Sequence, residues 1–508
     1  MNIADWIEKW ARATPDKIAL RFEGEALSYP QFNEAIKACA CMLRNELGIR
    51  PGDRIAYLGQ NHPQNLVLVF ACARLGAICV PLNWRLAAQE HLRMLQDCGA
   101  TALFVDAPYL TQCAEFPGAL PDCRCIALND DGASGWPQLD ELVSAAEGED
   151  RHPGVGLDSP LLIIYTSGTT GFPKGAVLTQ EAVQCNACNC VLLHDMTSRD
   201  VVLTLLPLFH VGGLNIQTTT AFYAGATVIL HRVFEPPLVL AALADERPTL
   251  TIILPAHMQA LRALPDWESA DLSSLRAVLT GSSCIPSEMV RYWHDRGIPL
   301  LNMYGASETA PVAIHQTIAN AFATEGTIGF PAMHCEIRIV DVTGKDCPAG
   351  EPGEILIRGK NVMSHYWNNE RATHDALEGG WFHSGDIGYV DDSGCYRIID
   401  RKKDMIISGG ENIYPTELEN VLMDHPDVLE AAVVGRPDAR WGEVPVAIVV
   451  PKPGCRLDKD AVFAWFDGRL GRYKHPKDVL FVEALPRNEM RKVVKHVLRN
   501  MVARPASG

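Results

Sequence analysis

Short apolar runs alternate with amphipathic stretches along much of the chain, in residues 1–160 and again in residues 201–254. The amphipathic stretches are typical of helices, and the apolar runs are typical of buried strands. The helices predicted in this way are residues 29–46, 63–75, 87–97, 179–196, 213–223 and 237–246. The predicted strands are residues 54–58, 77–80, 102–105, 161–164, 201–206, 227–230 and 250–254. Such alternation indicates βαβ units, and therefore an α/β fold built on largely parallel sheets.

The pattern changes in the last third of the chain. Residues 326–400 contain short strand-like runs between glycine turns and no helical pattern, which predicts a small β-rich subdomain. The elements predicted beyond it are a strand at 430–434 and helices at 458–470 and 492–500. We therefore predict a large N-terminal domain, residues 1–402, with two parallel-rich αβ subdomains and the β-rich one. A small α+β C-terminal domain, residues 403–508, would follow.

Length and composition restrict the class of protein. A chain of 508 residues exceeds one ordinary core, and its 47% hydrophobic and 21% charged residues are typical of a soluble globular protein. The formal net charge of −16 argues against nucleic acid as a partner, because most of the surface would repel its phosphates. Any site for an anionic cofactor therefore needs its own basic groups.

No membrane or export segment is expected. The longest apolar stretch, residues 66–80, is interrupted by Arg74 and Gly76 and stays short of the ~18 residues of a membrane helix. The N-terminus has mixed charges and no signal-peptide core. We therefore expect a cytoplasmic protein whose 16 cysteines are reduced.

A group of cysteines is the first candidate for chemistry. Cys185, Cys188 and Cys190 form the pattern C-x-x-C-x-C, and His194 follows, so the group could hold zinc. On a helix, however, Cys190 would point away from the face that Cys185 and Cys188 share. We therefore favour small core residues over a metal site.

The most specific motif is LLIIYTSGTTGFPKG at residues 161–175, where a predicted strand continues into a loop of hydroxyl residues and glycines. Gly168 and Gly171 allow backbone N–H groups to close on an anion, and Lys174 adds a positive charge. The side-chain hydroxyls belong to Thr166, Ser167, Thr169 and Thr170. The loop therefore suits a polyphosphate. It differs from the loop of P-loop NTPases, because Pro173 stands where their second glycine would be.

Further motifs place glycines and polar residues at predicted strand ends and turns. They are LPLFHVGGLN at 206–215, SLRAVLTGSSCIP at 274–286, LLNMYGASET at 300–309, WFHSGD at 381–386, IIDRKKDM at 398–405, ISGGENIYP at 407–415 and LPRNEMRKVVK at 485–495. In this order, and over nearly the whole chain, the motifs resemble those of the acyl- and aryl-CoA synthetases, a family of adenylate-forming enzymes.

The resemblance implies that the chain binds ATP. Tyr304 would offer its ring to adenine, Ser307 its hydroxyl to the α-phosphate, and Glu308 a carboxylate to Mg²⁺. Asp386 would accept hydrogen bonds from both ribose hydroxyls. The full set of ATP and AMP contacts implied in this way is Thr166, Ser167, Gly168, Thr169, Thr170, Gly171, Lys174, Gly281, Ser282, Tyr304, Gly305, Ser307, Asp386 and Arg401.

The resemblance also implies a reaction in two steps. The acid attacks the α-phosphate and gives acyl-AMP and pyrophosphate, and the thiolate of coenzyme A then gives the thioester and AMP. Between the steps the C-terminal domain would rotate about Lys403. The implied catalytic residues are Thr166, His210, Glu308 and Lys492. The implied coenzyme A contacts are Arg85, Gly409, Gly410, Trp441, Tyr473 and Lys474.

The sequence around the implied catalytic lysine departs from the family pattern. Met490 and Arg491 precede Lys492 where the family usually has threonine and glycine. Arg491 lacks the backbone freedom of glycine and adds a charge close to the phosphates. The departure leaves open a nucleotide-binding protein without enzymatic activity.

The acid is the least determined part of the prediction. The implied pocket residues are His210, Gly212, Gly213, Leu214, Gln217, Thr280 and Gly281, and none is a lysine or arginine. Such a pocket favours a fatty or aryl acid. The middle of the chain resembles feruloyl- and medium-chain acyl-CoA synthetases, but residues 467–488 resemble malonyl-CoA synthetases. Arg276, one strand away from the pocket, would suit a dicarboxylate.

Two alternatives of other specificity therefore stay open: a malonyl-type dicarboxylate–CoA ligase, and an enzyme that passes its acyl group to a carrier protein. The expected cofactors are ATP, Mg²⁺ and coenzyme A, and the expected partner is a small carboxylic acid. The sequence leaves open whether the chain forms a homodimer.

Overall fold

The computed structural model describes residues 1–130, 132, 134–166, 173–281, 285, 287–409, 411–438, 440–487 and 493–503. The chain divides into two compact units. The first comprises Met1–Ile337 and Ile357–Phe382, and the second comprises Arg338–Leu356 and His383–Gly508. The second unit thus groups residues 383–402 with the C-terminal part, and the hinge proposed at Lys403 stays a prediction.

The helices alternate with strands over most of the first unit. They are α1 Ala4–Ala13, α2 Tyr29–Asn45, α3 Pro63–Leu75, α4 Ala88–Cys98, α5 Phe116–Ala119, α6 Leu139–Ala145, α7 Gln180–His194, α8 Thr219–Ala224, α9 Pro236–Asp245, α10 Pro255–Arg262, α11 Ser287–His294, α12 Glu370–Ala376, α13 Pro415–Met423, α14 Lys459–Trp465 and α15 Lys495–Ala503. A π-helical segment covers Gly212–Thr218, and a 3-10 turn covers Ser307–Thr309. Other 3-10 turns are Ala107–Tyr109, Thr111–Cys113, Trp267–Ser269, Glu378–Gly380 and Arg472–Lys474.

The strands are β1 Ile18–Phe22, β2 Glu25–Ser28, β3 Arg54–Leu58, β4 Ile78–Leu82, β5 Ala102–Asp106, β6 Arg124–Leu128, β7 Pro160–Thr166, β8 Lys174–Thr179, β9 Val201–Thr204, β10 Thr227–Leu230, β11 Leu250–Ile252, β12 Ala277–Thr280, β13 Leu300–Gly305, β14 Val312–His315, β15 Phe330–Pro331, β16 Cys335–Val340, β17 Gly353–Gly359, β18 His365–Tyr366, β19 Phe382–Val390, β20 Tyr396–Arg401, β21 Ile406–Ser408, β22 Glu411–Ile413, β23 Val428–Asp438, β24 Gly442–Pro451 and β25 Asp478–Phe481. Because the strands of the first unit lie between helices, they can pair in parallel, which requires a crossover from one edge to the other.

Two sheets form the first unit. One has nine strands in the order β15-β14-β13-β12-β11-β9-β10-β1-β2 and is parallel from β13 to β1. The other has seven strands in the order β18-β8-β7-β4-β3-β5-β6 and is parallel from β7 to β6. The predicted parallel-rich α/β fold is therefore confirmed. The antiparallel strands lie at the sheet margins and include β7 and β8, which flank the phosphate-loop motif.

Strand alternation fixes which residues face the helices of the nine-stranded sheet. Leu203, Val278 and Leu300 pack in one apolar cluster with the buried rings of Trp267 and Trp293. Because successive side chains point to opposite faces, the residues that follow them lie on the other face. On that face Thr204 contacts the π-helical segment, with Oγ1 2.9 Å from the Thr218 hydroxyl.

The second unit is richer in antiparallel strands. Its five-stranded sheet has the order β22-β21-β24-β23, with β25 parallel to β24, and α13 and α14 pack on its core. Strands β19 and β20 belong to a four-stranded sheet in the order β16-β17-β19-β20. The β-rich character predicted for residues 326–400 is present, but the expected absence of helix there is wrong. Asn369 caps α12 through a side-chain bond to the Ala372 N–H, and this local capping was overlooked.

Two further predictions about the helices need correction. The helix expected at residues 213–223 begins as a π-helical segment and becomes α-helical only at Thr219. The C-terminal helix begins at Lys495, not at residue 492. Most other predicted ends agree with the structure within a few residues, because the apolar patterns of β3, α3 and β10 coincide with the buried segments.

Of the cysteines on α7, Cys190 belongs to the core, and Cys185 and Cys188 are half-buried. Cys190 is fully buried, and Cys188 donates to the Tyr223 hydroxyl at 3.5 Å. Burial raises the pKa of the Cys190 thiol, which keeps it protonated. The described part of the chain holds no group of three or more potential metal ligands, and its cysteines are free thiols. Among the same residues, no helix is both long and apolar enough to span a bilayer.

Candidate active site

The phosphate-loop motif connects two antiparallel strands, β7 and β8. Thr166 and Lys174 are the last paired residues before the loop that joins the two strands. The Thr166 hydroxyl donates to the Lys174 carbonyl at 3.3 Å. The ends of the predicted phosphate loop are thus held together. The predicted contacts inside it lie outside the described residues, and they are Ser167, Gly168, Thr169, Thr170 and Gly171.

Tyr165 fixes the strand that leads into this loop. Its hydroxyl donates to Asp97 Oδ2 at 2.6 Å, and burial raises the pKa of Tyr165. The Trp367 indole N–H donates to the Asp97 carbonyl at 3.2 Å. Asp97 therefore ties β7 to the chain segment that follows β18.

Lys174 and Glu308 lie on either side of Tyr366. The Tyr366 hydroxyl donates to Glu308 Oε1 at 2.7 Å, and Lys174 Nζ lies 5.0 Å from the centre of the Tyr366 ring. Burial and the neighbouring carboxylate both raise the pKa of Tyr366, so its hydroxyl remains a donor. The structure therefore brings together a predicted nucleotide contact, Lys174, and the predicted Mg²⁺ ligand, Glu308, through a third residue that the sequence analysis did not identify.

The turn that carries Glu308 is closely packed. At Gly305 a Cβ atom would overlap the Pro311 carbonyl, so only glycine fits there. The Thr309 hydroxyl accepts the Ala306 N–H at 2.9 Å and donates to the Pro311 carbonyl at 2.7 Å. These bonds present Ser307 and Glu308 on one short turn after β13. Tyr304, the predicted adenine platform, is 7% exposed at the end of the same strand.

A single carboxylate fits the predicted Mg²⁺ site. Magnesium is commonly held in nucleotide sites by one or two carboxylates together with phosphate oxygens and water. Glu308 is half-buried and oriented by Tyr366, and the Met363 N–H fixes its backbone carbonyl at 2.7 Å. Glu308 could therefore supply the protein ligand.

The predicted wall of the acid pocket begins after β9. His210 Nδ1 accepts the Gly212 N–H at 2.9 Å, which leaves the proton of the neutral ring on Nε2. Gly213 lies so close to the Pro207 carbonyl that a Cβ atom would overlap it. Leu214 and Gln217 are buried one turn further along the π-helical segment. The pocket residues of this segment therefore share one continuous, buried element.

The two predicted pocket residues on the neighbouring strand differ in orientation. Thr280 ends β12 on the face of Val278, away from the π-helical segment, whereas Gly281 follows it on the opposite face. Ser282, predicted beside adenine, lies outside the described residues.

Arg276 cannot serve a second carboxylate in this pocket. It precedes β12 at the end opposite Gly281, and its guanidinium pairs with Asp200 at 2.9 Å. The same side chain donates to the carbonyls of His194 and Asp195. The suggestion that Arg276 favours a dicarboxylate is therefore wrong, because both its position and its charge are committed elsewhere.

In the second unit, the predicted ribose residues are paired. Asp386 and Arg401 lie opposite each other on β19 and β20, with Arg401 Nε 2.6 Å from Asp386 Oδ1. Asp386 is 5% exposed, and its backbone N–H is fixed by the Ser384 hydroxyl. The arrangement presents a partly shielded carboxylate with a cation beside it.

The residues predicted to contact coenzyme A do not form one cluster in the contacts of the described residues. The Gly409 N–H donates to the Trp441 carbonyl at 2.7 Å, so these two are neighbours, while Gly410 lies outside the described residues. Lys474 pairs with Glu417 at 2.8 Å, and Tyr473 is half exposed beside it.

Arg85, the one predicted coenzyme A contact in the first unit, lies over the rings of Trp84 and Phe209, 4.2 and 5.6 Å from their centres. Phe209 directly precedes His210 in the acid-pocket motif.

The predicted catalytic lysine, Lys492, lies outside the described residues, as do Met490 and Arg491. The loop ends beside it are joined by a bridge between Arg487 and Val493. Near the predicted hinge, Arg499 of α15 donates to the Lys403 carbonyl at 3.3 Å and pairs with Asp404 at 2.5 Å.

Tyr366 and Asp97 are the site residues that the sequence analysis missed. Both lie in stretches without a specific motif, and their roles depend on partners distant in the sequence. The one local signal for Tyr366 is the aromatic pair Tyr366–Trp367, which stands in an otherwise polar stretch and indicates a buried contact.

Comparison with known proteins gives this geometry a family. The model of the AMP-binding enzyme family matches residues 7–367, and the model of the AMP-binding enzyme C-terminal domain matches residues 417–492. The chain belongs to the AMP-binding enzyme family. The family predicted from the motifs is confirmed, and with it the class of AMP-forming acid–thiol ligases.

Individual relatives cover almost the whole chain. An indoleacetate–CoA ligase from Aromatoleum aromaticum is 47% identical over 505 residues, 99% of each protein. A feruloyl-CoA synthase from an Amycolatopsis species is 42% identical over 498 residues, 98% of each. The structure of the o-succinylbenzoate CoA synthetase MenE from Bacillus subtilis, in complex with the acyl-adenylate OSB-AMP, superposes with a TM-score of 0.86. It is 32% identical and covers 99% of this chain and 98% of that one.

These similarities confirm several predictions about the reaction. This AMP-binding enzyme is an ATP-dependent carboxylic acid–CoA ligase that works through an acyl-AMP, and its cofactors are ATP, Mg²⁺ and coenzyme A. Its substrate is a small-molecule acid.

Replacing Tyr366 with phenylalanine should weaken the use of Mg²⁺. The variant keeps the ring beside Lys174 but loses the bond to Glu308, and a hydrogen bond to a charged group contributes about 1.5–3 kcal/mol. We expect ATP–pyrophosphate exchange to fall about tenfold or more at limiting Mg²⁺, with the half-saturating Mg²⁺ concentration raised. Tyr292→Phe, which removes a hydroxyl that donates to Glu268 and not to Glu308, is the matched control. An unchanged Mg²⁺ dependence in Tyr366→Phe would contradict the role.

Proposed function

We propose that the acid activated by this enzyme is an aryl acid. The observation that carries the proposal is the wall formed by residues 211–217, which is buried and contains no lysine or arginine. A second carboxylate placed against this wall would lose its hydration without gaining a cation. Arg276, the one cation considered for that task, is paired with Asp200. The names of the 47% and 42% identical relatives point to aromatic acids as well.

For the first step we assign a role to each predicted nucleotide residue separately. Glu308, oriented by Tyr366, would hold Mg²⁺ together with phosphate oxygens, and Lys174 places a positive charge at the end of the loop. His210, neutral with its proton on Nε2, would bound the carboxylate end of the acid. Lys492 would neutralise the charge that develops on the α-phosphate. Asp386 and Arg401 would bind the ribose.

For the second step we propose that the C-terminal domain, residues 403–508, rotates about Lys403. Arg499 contacts Lys403 and Asp404 and so attaches the start of this domain to α15. The segment that follows the predicted hinge would therefore move together with α15. Gly409 and Trp441, which are neighbours, would contact the pantetheine arm of coenzyme A. A cytoplasmic location and a homodimer stay predictions.

The acid preference can be measured directly. We expect pyrophosphate exchange and thioester formation with indole-3-acetate or ferulate to exceed those with octanoate and malonate by about tenfold or more in kcat/KM, since an apolar aromatic-sized wall discriminates by a few kcal/mol at most. Omission of coenzyme A, with exchange retained, is the control for the two-step route. A preference for malonate would contradict the buried apolar wall, and a preference for octanoate would make the enzyme a fatty-acid ligase.

Removal of the Lys492 charge should affect only the first step. Lys492→Ala is expected to lower pyrophosphate exchange by about 10²–10³-fold, the range for one preorganised group at a developing charge. Thioester formation from supplied aryl-AMP should remain nearly unchanged. Arg491→Ala is the matched control. If that variant loses exchange while Lys492→Ala keeps it, the catalytic cation is Arg491.

The hinge can be tested by restricting one backbone angle. Lys403→Pro fixes φ at the predicted hinge and should slow thioester formation more than pyrophosphate exchange. Lys403→Ala leaves φ unrestricted and should change both steps little. Equal losses in both steps of Lys403→Pro, measured by separate partial reactions, would argue against a hinge at this residue.

A further inference from the structure

Three buried polar side chains lie in or near the predicted acid-pocket wall. They are His194 at the end of α7, Gln217 in the π-helical segment and His315 at the end of β14, with exposures of 0%, 2% and 6%. Buried polar groups in proteins are nearly always hydrogen-bonded, so each atom of this group needs a partner. Two acceptor atoms of the group have none among the described residues.

The protonation of His194 follows from its contacts. Its Nδ1 lies 2.8 Å from the Cys190 carbonyl, which can only accept, so Nδ1 carries the proton. Burial lowers the pKa of His194 to about 3, so the ring is neutral and its Nε2 is an acceptor.

This tautomer fixes the orientation of the Gln217 amide. The Gln217 amide nitrogen lies 3.0 Å from His194 Nε2 and donates to it, because Nε2 has no proton of its own. The opposite orientation would place two acceptors against each other. Gln217 Oε1 is therefore the atom turned away from His194, and among the described residues it finds no donor.

His315 repeats the pattern. Its Nδ1 lies 2.9 Å from the Gln316 carbonyl and must donate to it, and burial lowers the pKa of His315. His315 Nε2 is then a second acceptor without a partner in the described part of the chain. A charge on His315 would lower the pKa of His194 further.

The group lies on the acid-pocket side of the sheet. Gln217 is one π-helical turn beyond Gly212, so the two share a face of that segment. The neighbouring Thr218 contacts Thr204 on the face of the sheet opposite the Trp267 cluster. His315 is paired with Met303, which lies on this same face because it is three positions from Leu300 on the opposite one.

We propose that Gln217 Oε1 is the specificity-determining acceptor for an N–H or O–H group at the far end of the acid, with His315 Nε2 as a second acceptor on the same face of the sheet. The substrate class is then an aryl acid that carries a hydrogen-bond donor on its ring system, such as an indole. An acid without the donor leaves the buried acceptor unpaired, which is costly in a site closed to water. The inference rests on the proposed aryl-acid function.

The first test needs no variant. Indole-3-acetate and 1-benzofuran-3-acetate have nearly the same shape, but the benzofuran has an oxygen in place of the N–H. We expect wild-type pyrophosphate exchange to favour the indole acid by about tenfold or more in kcat/KM. Equal use of both acids would overturn the inference and leave the aryl-acid function intact, since a buried water would then satisfy Gln217. Failure with every aromatic acid would instead overturn the proposed function.

The second test removes the acceptor. Gln217→Met is close in volume and should bring the indole-to-benzofuran ratio to about one, mainly by lowering activity with the indole acid. Activity with the benzofuran acid shows that the variant is folded. Gln184→Met, the same substitution on α7, should leave the wild-type ratio unchanged. If Gln217→Met is inactive with both acids, Gln217→Asn, which keeps the amide but withdraws it by one methylene, should lower the ratio. A wild-type ratio in either active Gln217 variant would refute the assignment.

Discussion

The hydrogen bond from Tyr366 to Glu308 is the contact on which the arrangement of the predicted phosphate and magnesium residues depends. Tyr366 lies on β18 and pairs with Ala176 of the seven-stranded sheet, whereas Glu308 follows β13 of the nine-stranded sheet. The bond therefore joins the margins of two sheets. The Met363 N–H adds a second link by donating to the Glu308 carbonyl. A carboxylate held from both its side chain and its backbone loses little further freedom when it meets a ligand.

Much of this fold could be predicted from the sequence because local pattern and burial coincide. Helix α3 and strand β3 have the ends that their apolar runs predict, and the phosphate-loop motif identified the family without any structural information. Helix α12 escaped detection because it is short and has no buried residues, so no apolar periodicity announced it. Arg276 was misjudged for a different reason. The order of the strands shows that Arg276 belongs to a strand next to the pocket, but it does not show at which end of that strand the residue lies.

The candidate site could be predicted only in part, because some of its contacts join residues that are distant in the sequence. Motifs identify residues whose backbone or charge is predicted to serve a ligand, such as Lys174 and Asp386. Tyr366 and Asp97, which hold Glu308 and Tyr165, act through contacts made across long stretches of chain, and no local pattern encodes those contacts. That Gln217 Oε1 is an unpaired acceptor among the described residues is even harder to predict from the sequence. It follows from a series of hydrogen bonds that begins at the Cys190 carbonyl, and only coordinates reveal that series.

The ion pair between Asp386 and Arg401 has a consequence for any ligand that hydrogen-bonds to this carboxylate. A ligand hydroxyl that donates to Asp386, as the predicted ribose hydroxyls would, meets a carboxylate that a guanidinium already satisfies. Binding is then an exchange of partners, and the net gain is smaller than the count of new bonds suggests. The departure of such a ligand is the same exchange in reverse, because Arg401 lies opposite Asp386 on β20 and restores the pair. The carboxylate is therefore never left without a partner, and a ligand held there leaves at little cost.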